Sequence, residues 1–288
     1  MKVLVTGFKG QLGYDVIKEL CSRRHEALGF DLPELDITDE AAVQAVFDRV
    51  KPDAVIHCAA WTAVDAAEES GNIAKVFAVN EGGTRNIAAA CKRTGAKLLY
   101  LSTDYVFDGQ GSSPWRADEA RFASLNEYGK SKLAGENAVR ELLQTYFIVR
   151  IAWVFGKNGN NFVKTMLRLS ETHDTLRVVC DQVGTPTYTP DLARLLVDMI
   201  ETDKYGVYHA TNEGGYISWY DFASAIMQEA GKLTKIIPVT TAEYGLSKAA
   251  RPFNSRLDKS KLKENGFEPL PDWRDALKRY LKEIGHAN

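Results

Sequence analysis

Tyr128 and Lys132 stand four residues apart in the string Tyr128-Gly129-Lys130-Ser131-Lys132. On a helix that spacing puts both side chains on one face, a turn apart. A phenol with an ordinary pKa near ~10 exchanges protons poorly at neutral pH, and an adjacent ammonium pulls that value down toward working pH. Such a pair is common on solvated helices. It acquires chemical meaning from Ser102-Thr103-Asp104, which ends an apolar run one strand-and-helix unit earlier. A hydroxyl on Thr103 can hold a substrate carbonyl that Tyr128 also touches, so the three side chains point to proton transfer at a carbonyl oxygen.

Thr6-Gly7-Phe8-Lys9-Gly10-Gln11-Leu12-Gly13 follows a strand-like run at residues 3–5. Glycines at 7, 10 and 13 allow a tight turn, close backbone approach to a pyrophosphate and close helix–strand packing. The helix they open, predicted over residues 10–24 with Gln11 and Leu12 in its first turn, offers free N–H groups to an anion. Asp31 closes the second predicted strand about 20 residues further on, where an acid grips a ribose 2′-hydroxyl. No arginine or lysine lies within residues 32–39 to hold a 2′-phosphate, so NADH is favoured over NADPH.

These groups need a frame. Apolar runs at residues 3–5, 27–30, 54–58, 98–101 and 147–151 alternate with helix-like segments at 10–24, 40–50, 73–94 and 125–143. The rhythm predicts an α/β fold, a doubly wound parallel sheet of Rossmann type with its ligand crevice at the carboxyl ends of the strands. Residues 1–155 are read as the dinucleotide-binding domain. Residues 156–288 are read mainly as a smaller, interleaved C-terminal substrate lobe, some of whose segments return to the first domain. In that lobe we expect a polar turn at 158–161, strands at 178–180 and 205–210, and a helix starting at Pro190-Asp191. Further helices at 219–230 and 273–284 and a basic loop at 251–256 complete it.

The 288 residues are 45% hydrophobic and 26% charged, enough for a sizeable core without disulfides or a structural metal. A net charge of -2 and the absence of a long basic block argue against nucleic acid as the main partner. Cys21, Cys58, Cys91 and Cys180 are scattered without C-x-x-C spacing and read as buried free thiols. Neither a signal peptide nor an apolar span of membrane length is read, so a cytoplasmic location is expected.

The Thr-Gly-led G-x-x-G-x-x-G spacing, in place of the commoner G-x-G-x-x-G, resembles that of the short-chain dehydrogenase/reductase superfamily. Thr103, Tyr128 and Lys132 resemble its Ser/Thr–Tyr–Lys triad. Longer strings are similar to the dTDP-4-dehydrorhamnose reductase family. They are Cys58-Ala59-Ala60-Trp61-Thr62-Ala63-Val64-Asp65, Ser102-Thr103-Asp104-Tyr105-Val106-Phe107-Asp108-Gly109 and Tyr128 through Glu136. Trp153-Val154-Phe155-Gly156, Gly159-Asn160-Asn161-Phe162, Asp181-Gln182-Val183-Gly184-Thr185-Pro186-Thr187 and Arg251-Pro252-Phe253-Asn254-Ser255-Arg256-Leu257 extend the resemblance nearly end to end.

The resemblance implies NAD(P)H-dependent reduction of the 4-keto group of dTDP-4-dehydro-6-deoxy-L-mannose to dTDP-L-rhamnose, for cell-surface polysaccharide. It implies that Tyr128 donates the proton, Thr103 orients the carbonyl, and Lys132 holds the nicotinamide ribose and tunes Tyr128. Ala59, Ala60 and Thr62 would meet the cofactor, and Asp36 and Ile37 would flank its adenine. A helix N-cap region is an equal reading of Asp36. Asp104, Tyr105 and Trp153 would line the sugar pocket, with a core role open for Trp153. Arg251 and Arg256 suit a diphosphate, since guanidinium donors can bind phosphate bidentately. A surface ion pair is the alternative for either. Asn161 would meet the nucleotide or serve as a helix cap.

A nucleotide-sugar 4,6-dehydratase carries Asp-Glu after the triad threonine, whereas Asp104 is followed here by Tyr105. A 4-epimerase of the same superfamily and a non-catalytic nucleotide-binding regulatory subunit are the other rivals, and the intact triad speaks against the latter. Some reductases of the family dimerise through a magnesium site of clustered glutamates near the C-terminus. Residues 282–288 hold one glutamate, Glu283, so magnesium is doubtful and a monomer is favoured over a homodimer.

Overall fold

The computed structural model describes residues 1–245 and 247–286, so the last two residues of the 282–288 stretch, Ala287 and Asn288, lie outside the described residues. Strand β1 (Lys2–Thr6) leads through the glycine turn into α1 (Gln11–Ser22), then β2 (Glu26–Phe30), α2 (Glu40–Val50) and β3 (Ala54–His57). Helices α3 (Val64–Ala67), α4 (Ser70–Phe77) and α5 (Thr84–Thr94) precede β4 (Lys97–Thr103), α6 (Glu127–Leu142) and β5 (Phe147–Ile151). Later come α7 (Phe162–Ser170), α8 (Thr189–Ile200) and α9 (Trp219–Glu229).

Five of the strands and Gly206–His209 form one sheet in the order β2, β1, β3, β4, β5, Gly206–His209. Every pairing in it is parallel. A parallel sheet is covered on both faces, which is why Val3, Leu4, Val5, Val55 and Ile56 are all fully buried. On one face Val3 and Val5 pack with Val16 and Leu20 of α1 and with Leu192 and Leu196 of α8. On the other, Leu4 and Val55 pack with Phe47 of α2, Ile87 of α5 and Val139 of α6. Each such side chain contributes about 1.5–3 kcal/mol by leaving water. The strand order reverses between β1 and β3, so the segments after β1, β3, β4 and β5 gather around one crevice.

A third core joins Phe155, Phe222, Trp273 and Tyr280 in the later half of the chain. There the strand expected at 178–180 is Thr175–Val179, paired in parallel with Lys235–Val239. The second strand went unread because Lys235, Ile237 and Pro238 do not follow an apolar alternation, and Lys235 and Pro238 are exposed.

The helix expected at 73–94 is broken by a π-helical turn, Ala78–Gly83, between α4 and α5. That irregularity turns Asn80 inward. Of the four cysteines only Cys91 is fully buried, and Cys21 is exposed, which corrects the expectation of buried thiols. Cys21 follows the buried Leu20 on α1, and one residue of helical rotation carries it to the solvent side. Among the described residues no helix is long and apolar enough to cross a membrane.

Candidate active site

The crevice is a cleft of about 710 Å³. Its floor at one end is the glycine turn. Gly7 has φ +68, and a Cβ there would lie 2.7 Å from the Ala59 nitrogen. A Cβ on Gly13 would overlap the Gly7 carbonyl oxygen. Gly10 caps α1 without a side-chain bond, leaving the first-turn N–H groups of Gln11, Leu12 and Gly13 for a ligand at the cleft wall. A cradle of this shape fits a pyrophosphate.

Asp31 lines the same cleft at the end of β2. Its Oδ1 accepts the Leu32 N–H at 2.9 Å and its Oδ2 accepts the Lys9 N–H at 3.2 Å. The Lys9 ammonium donates to Glu34 at 3.0 Å and to the Leu32 carbonyl at 3.2 Å. Inspection of residues 32–39 therefore missed the cation of this corner, because the glycine turn supplies it from 22 residues upstream. Asp36 lines the cleft too, with Oδ1 accepting the Thr38 N–H at 2.9 Å and hydroxyl at 2.7 Å. The N-cap of α2 is Asp39, not Asp36. Ile37 packs beside Gly83, where a Cβ would come within 2.5 Å of its Cδ1.

Ala59, Ala60 and Thr62 form the wall after β3. Asn80 holds that wall: it accepts the Trp61 N–H at 2.8 Å and donates to the Trp61 carbonyl at 3.1 Å and the Ser131 hydroxyl at 2.9 Å. Sequence reading passed over Asn80. A polar residue inside an otherwise apolar helical stripe was the available signal.

At the end of β4 the buried Thr103 hydroxyl donates to Asp104 Oδ1 at 3.0 Å and accepts the Tyr105 N–H at 3.2 Å. Asp104 Oδ2 is buried with no hydrogen-bond partner. Burial pushes the Asp104 carboxyl up to about 6, against the opposing influence of the nearby Ser255 and Thr103 hydroxyls. Helix α6 starts at the Asn126 cap, whose Oδ1 accepts the Gly129 N–H at 2.8 Å. A Cβ on Gly129 would overlap the Tyr105 carbonyl, so this glycine seats α6 against the 103–106 turn.

Tyr128 therefore faces Thr103 across the cleft, and its ring meets Tyr105 edge-on at 5.6 Å. Burial pushes the Tyr128 phenol up, Asp104 and Tyr105 push the same way, and the nearby Thr103 hydroxyl opposes them. The expected lowering by Lys132 is not among these influences. The physical reason lies in direction, since the Lys132 ammonium lies 4.2 Å over the ring of Tyr100. A phenol raised in this way stays protonated at neutral pH and yields its proton only to a strongly basic acceptor such as a forming alkoxide.

Trp153 lines the cleft in a left-handed backbone conformation, φ +51, and its indole stacks on Trp219. Such a backbone in a bulky residue is strained and is held by its surroundings.

Three expected residues do not line the cleft. Asn161 caps α7, accepting the Lys164 N–H at 3.0 Å, while its amide donates to Gln11, Gly156 and Tyr280, and the neighbouring Asn160 faces the cleft. Arg251 pairs with Asp65 at 2.6 Å and donates to the Tyr105 hydroxyl at 3.1 Å. Arg256 donates to Asn254 Oδ1 at 3.0 Å. Among the described residues no group of three or more His, Cys, Asp or Glu side chains is placed to hold a metal.

Residues 1–286 match the family described as RmlD substrate binding domain. The chain is 42% identical to the spore coat polysaccharide biosynthesis protein SpsK of Bacillus subtilis, covering 99% of both chains. Its fold superposes with a TM-score of 0.95 on a dTDP-4-dehydrorhamnose reductase of Clostridium acetobutylicum, 43% identical, over 99% of this chain and 100% of that one. The dTDP-4-dehydrorhamnose reductase of Bacillus anthracis, solved in complex with NADP, gives a TM-score of 0.92 at 42% identity over 98% of each chain.

Proposed function

The chain belongs to the RmlD substrate binding domain family of dTDP-4-dehydrorhamnose reductases, and from that premise we propose that it reduces the 4-keto group of dTDP-4-dehydro-6-deoxy-L-mannose to dTDP-L-rhamnose for polysaccharide synthesis. The observation that carries the reading is the meeting of the glycine cradle, Asp31 and the Thr103–Tyr128–Lys132 set in one cleft. A bound nicotinamide dinucleotide supplies the hydride.

The chain's own groups orient the sugar and manage the proton. Gly7 to Gly13 take the pyrophosphate, Ile37 and Asp36 border the adenine, and Ala59, Ala60, Thr62 and Lys132 hold the nicotinamide end. Thr103 orients the substrate carbonyl, and Tyr128 gives its phenolic proton to the oxygen as the alcohol forms. Asp104, Tyr105 and Trp153 shape the sugar subsite. Arg251, bonded to the Tyr105 hydroxyl, would reach a diphosphate only by exchanging Asp65 for it.

At the ribose corner Asp31 accepts the Lys9 backbone N–H, while the Lys9 ammonium is held by the Glu34 carboxylate. That arrangement favours NADH, and Lys9 leaving Glu34 lets NADPH in.

The test is oxidation of NADH and of NADPH by the purified protein with dTDP-4-dehydro-6-deoxy-L-mannose generated in the same tube. Turnover yielding dTDP-L-rhamnose is expected. Cofactor binding with no oxidation would move the protein to a regulatory role.

A further inference from the structure

We infer that the aromatic face of Tyr100 is the counter-group that keeps the Lys132 ammonium charged and in place, making Tyr100 a positioning residue for the reduction. The inference deepens the reductase reading and rests on it.

Lys132 is only 3% exposed, yet among the described residues no carboxylate stands within ion-pair distance of its ammonium. Glu136, one turn further along α6, is already committed to Arg150 at 2.8 Å and Arg140 at 2.7 Å. The ammonium instead lies 4.2 Å from the centroid of the Tyr100 ring. That is inside the distance at which the negative face of a ring attracts a cation, and the attraction grows where water is excluded.

The ring is held for this task. Tyr100 is fully buried on β4, and its hydroxyl donates to the Lys132 carbonyl at 3.2 Å, so one residue grips both ends of the lysine. A Cβ at position 135 would overlap the Tyr100 hydroxyl, which is why a glycine stands there. His57 stacks beside the ring at 5.7 Å, fixed by Thr6 at 2.6 Å and Thr84 at 3.1 Å.

The other groups around Lys132 add little positive support. His57 and Cys58 face it from β3 and its end, Tyr100 from β4, and Glu136 from its own helix. Burial drives His57 down to about 3 and the Cys58 thiol up to about 12, so both are neutral near pH 7. Burial pulls Lys132 down to about 7, with Glu136 opposing. The charge therefore titrates in the neutral range, where a change at the ring is measurable.

The experiment replaces Tyr100 by Phe, by 3,5-difluorophenylalanine and by 3,4,5-trifluorophenylalanine, with Tyr100→Leu as the ring-free variant. The fluorinated rings keep nearly the same shape, so folding is preserved while the negative face is progressively erased. Two profiles are recorded across neutral and alkaline pH, kcat for reduction and NADH affinity by fluorescence titration. Tyr100→Phe should retain the upper limb of both. Fluorination should move that limb stepwise to lower pH, reaching about one unit, the scale of a desolvated cation–ring contact. A limb that ignores fluorination, or a loss equal at every pH, overturns the proposal. Absence of turnover in the unaltered protein would sink the reductase reading alone, because the NADH titration decides on Tyr100 by itself.

Discussion

The indole of Trp153 stacks on that of Trp219 with ring centroids 3.7 Å apart and 14° between the planes. Trp153 ends the wall of the cleft after β5, while Trp219 is the first residue of α9, and Phe162 of α7 packs on Trp219 at 4.5 Å. The strained Trp153 backbone is thus braced from the later half of the chain. Gly184 completes the fit, since a Cβ there would come within 2.9 Å of the Trp153 ring.

Removing that brace should loosen sugar binding before it touches the cofactor. A stacked aromatic pair is worth about 0.5–1.5 kcal/mol beyond its buried area, so Trp219→Ala should raise the sugar-nucleotide KM about three- to tenfold. The NADH KM should stay near its starting value. Steady-state kinetics with each substrate varied in turn checks this, and an unchanged sugar KM would return Trp219 to a purely structural place.

Tyr128→Phe removes the proton donor and leaves the ring. kcat should fall by about 10²–10⁴-fold, the usual contribution of a positioned acid. NADH affinity, read by fluorescence titration, should hold within about twofold. Full turnover in this variant would strip Tyr128 of its role.

Cofactor choice turns on three side chains at one corner. Asp31→Ala should weaken NADH far more than NADPH, because only a free 2′-hydroxyl gains from the acid. Glu34→Gln should release Lys9 and raise the NADPH-to-NADH ratio of kcat/KM by about three- to tenfold at low salt. Kinetics with both cofactors at two ionic strengths measures it, and a ratio indifferent to both changes would mean that another group sets the preference.

Asp104 has a pH signature in stability. Its folded pKa, raised to about 6 by burial, exceeds its ordinary value of 3.8, so the folded state binds the extra proton between those values. The carboxyl's contribution to stability is therefore present below pH ~4, declines as pH rises through ~6, and is unfavourable above it. Asp104→Asn keeps an acceptor for the Thr103 hydroxyl and carries no charge. Its stability gain over the unaltered protein should be near zero at pH ~4 and on the order of 1–3 kcal/mol at pH ~7.5. Paired urea melts at both pH values test the sign, and a variant less stable at the higher pH would contradict it.

Local spacing made half of the site legible. Three glycines at intervals of three after a strand can form only a few turns, and their first-turn N–H groups follow from helix geometry alone. Tyr128 and Lys132 share a helix face because a turn of helix puts them there. The apolar runs of β1, β3, β4 and β5 disclosed a parallel sheet because each is covered on both sides.

What the sequence by itself determined, then, was everything set within one strand–helix unit: the cradle, the acid ending β2, the Tyr–Lys face and the crevice they share. Only the tertiary structure decided where the long side chains go. Lys132 lies over Tyr100, Lys9 reaches Glu34, Arg251 meets Asp65, and Asn161 spends its amide on Gln11 and Tyr280. Each of these partners is brought in by the packing of separate elements. Periodicity says which face of an element is buried and is silent on what another element will present to it.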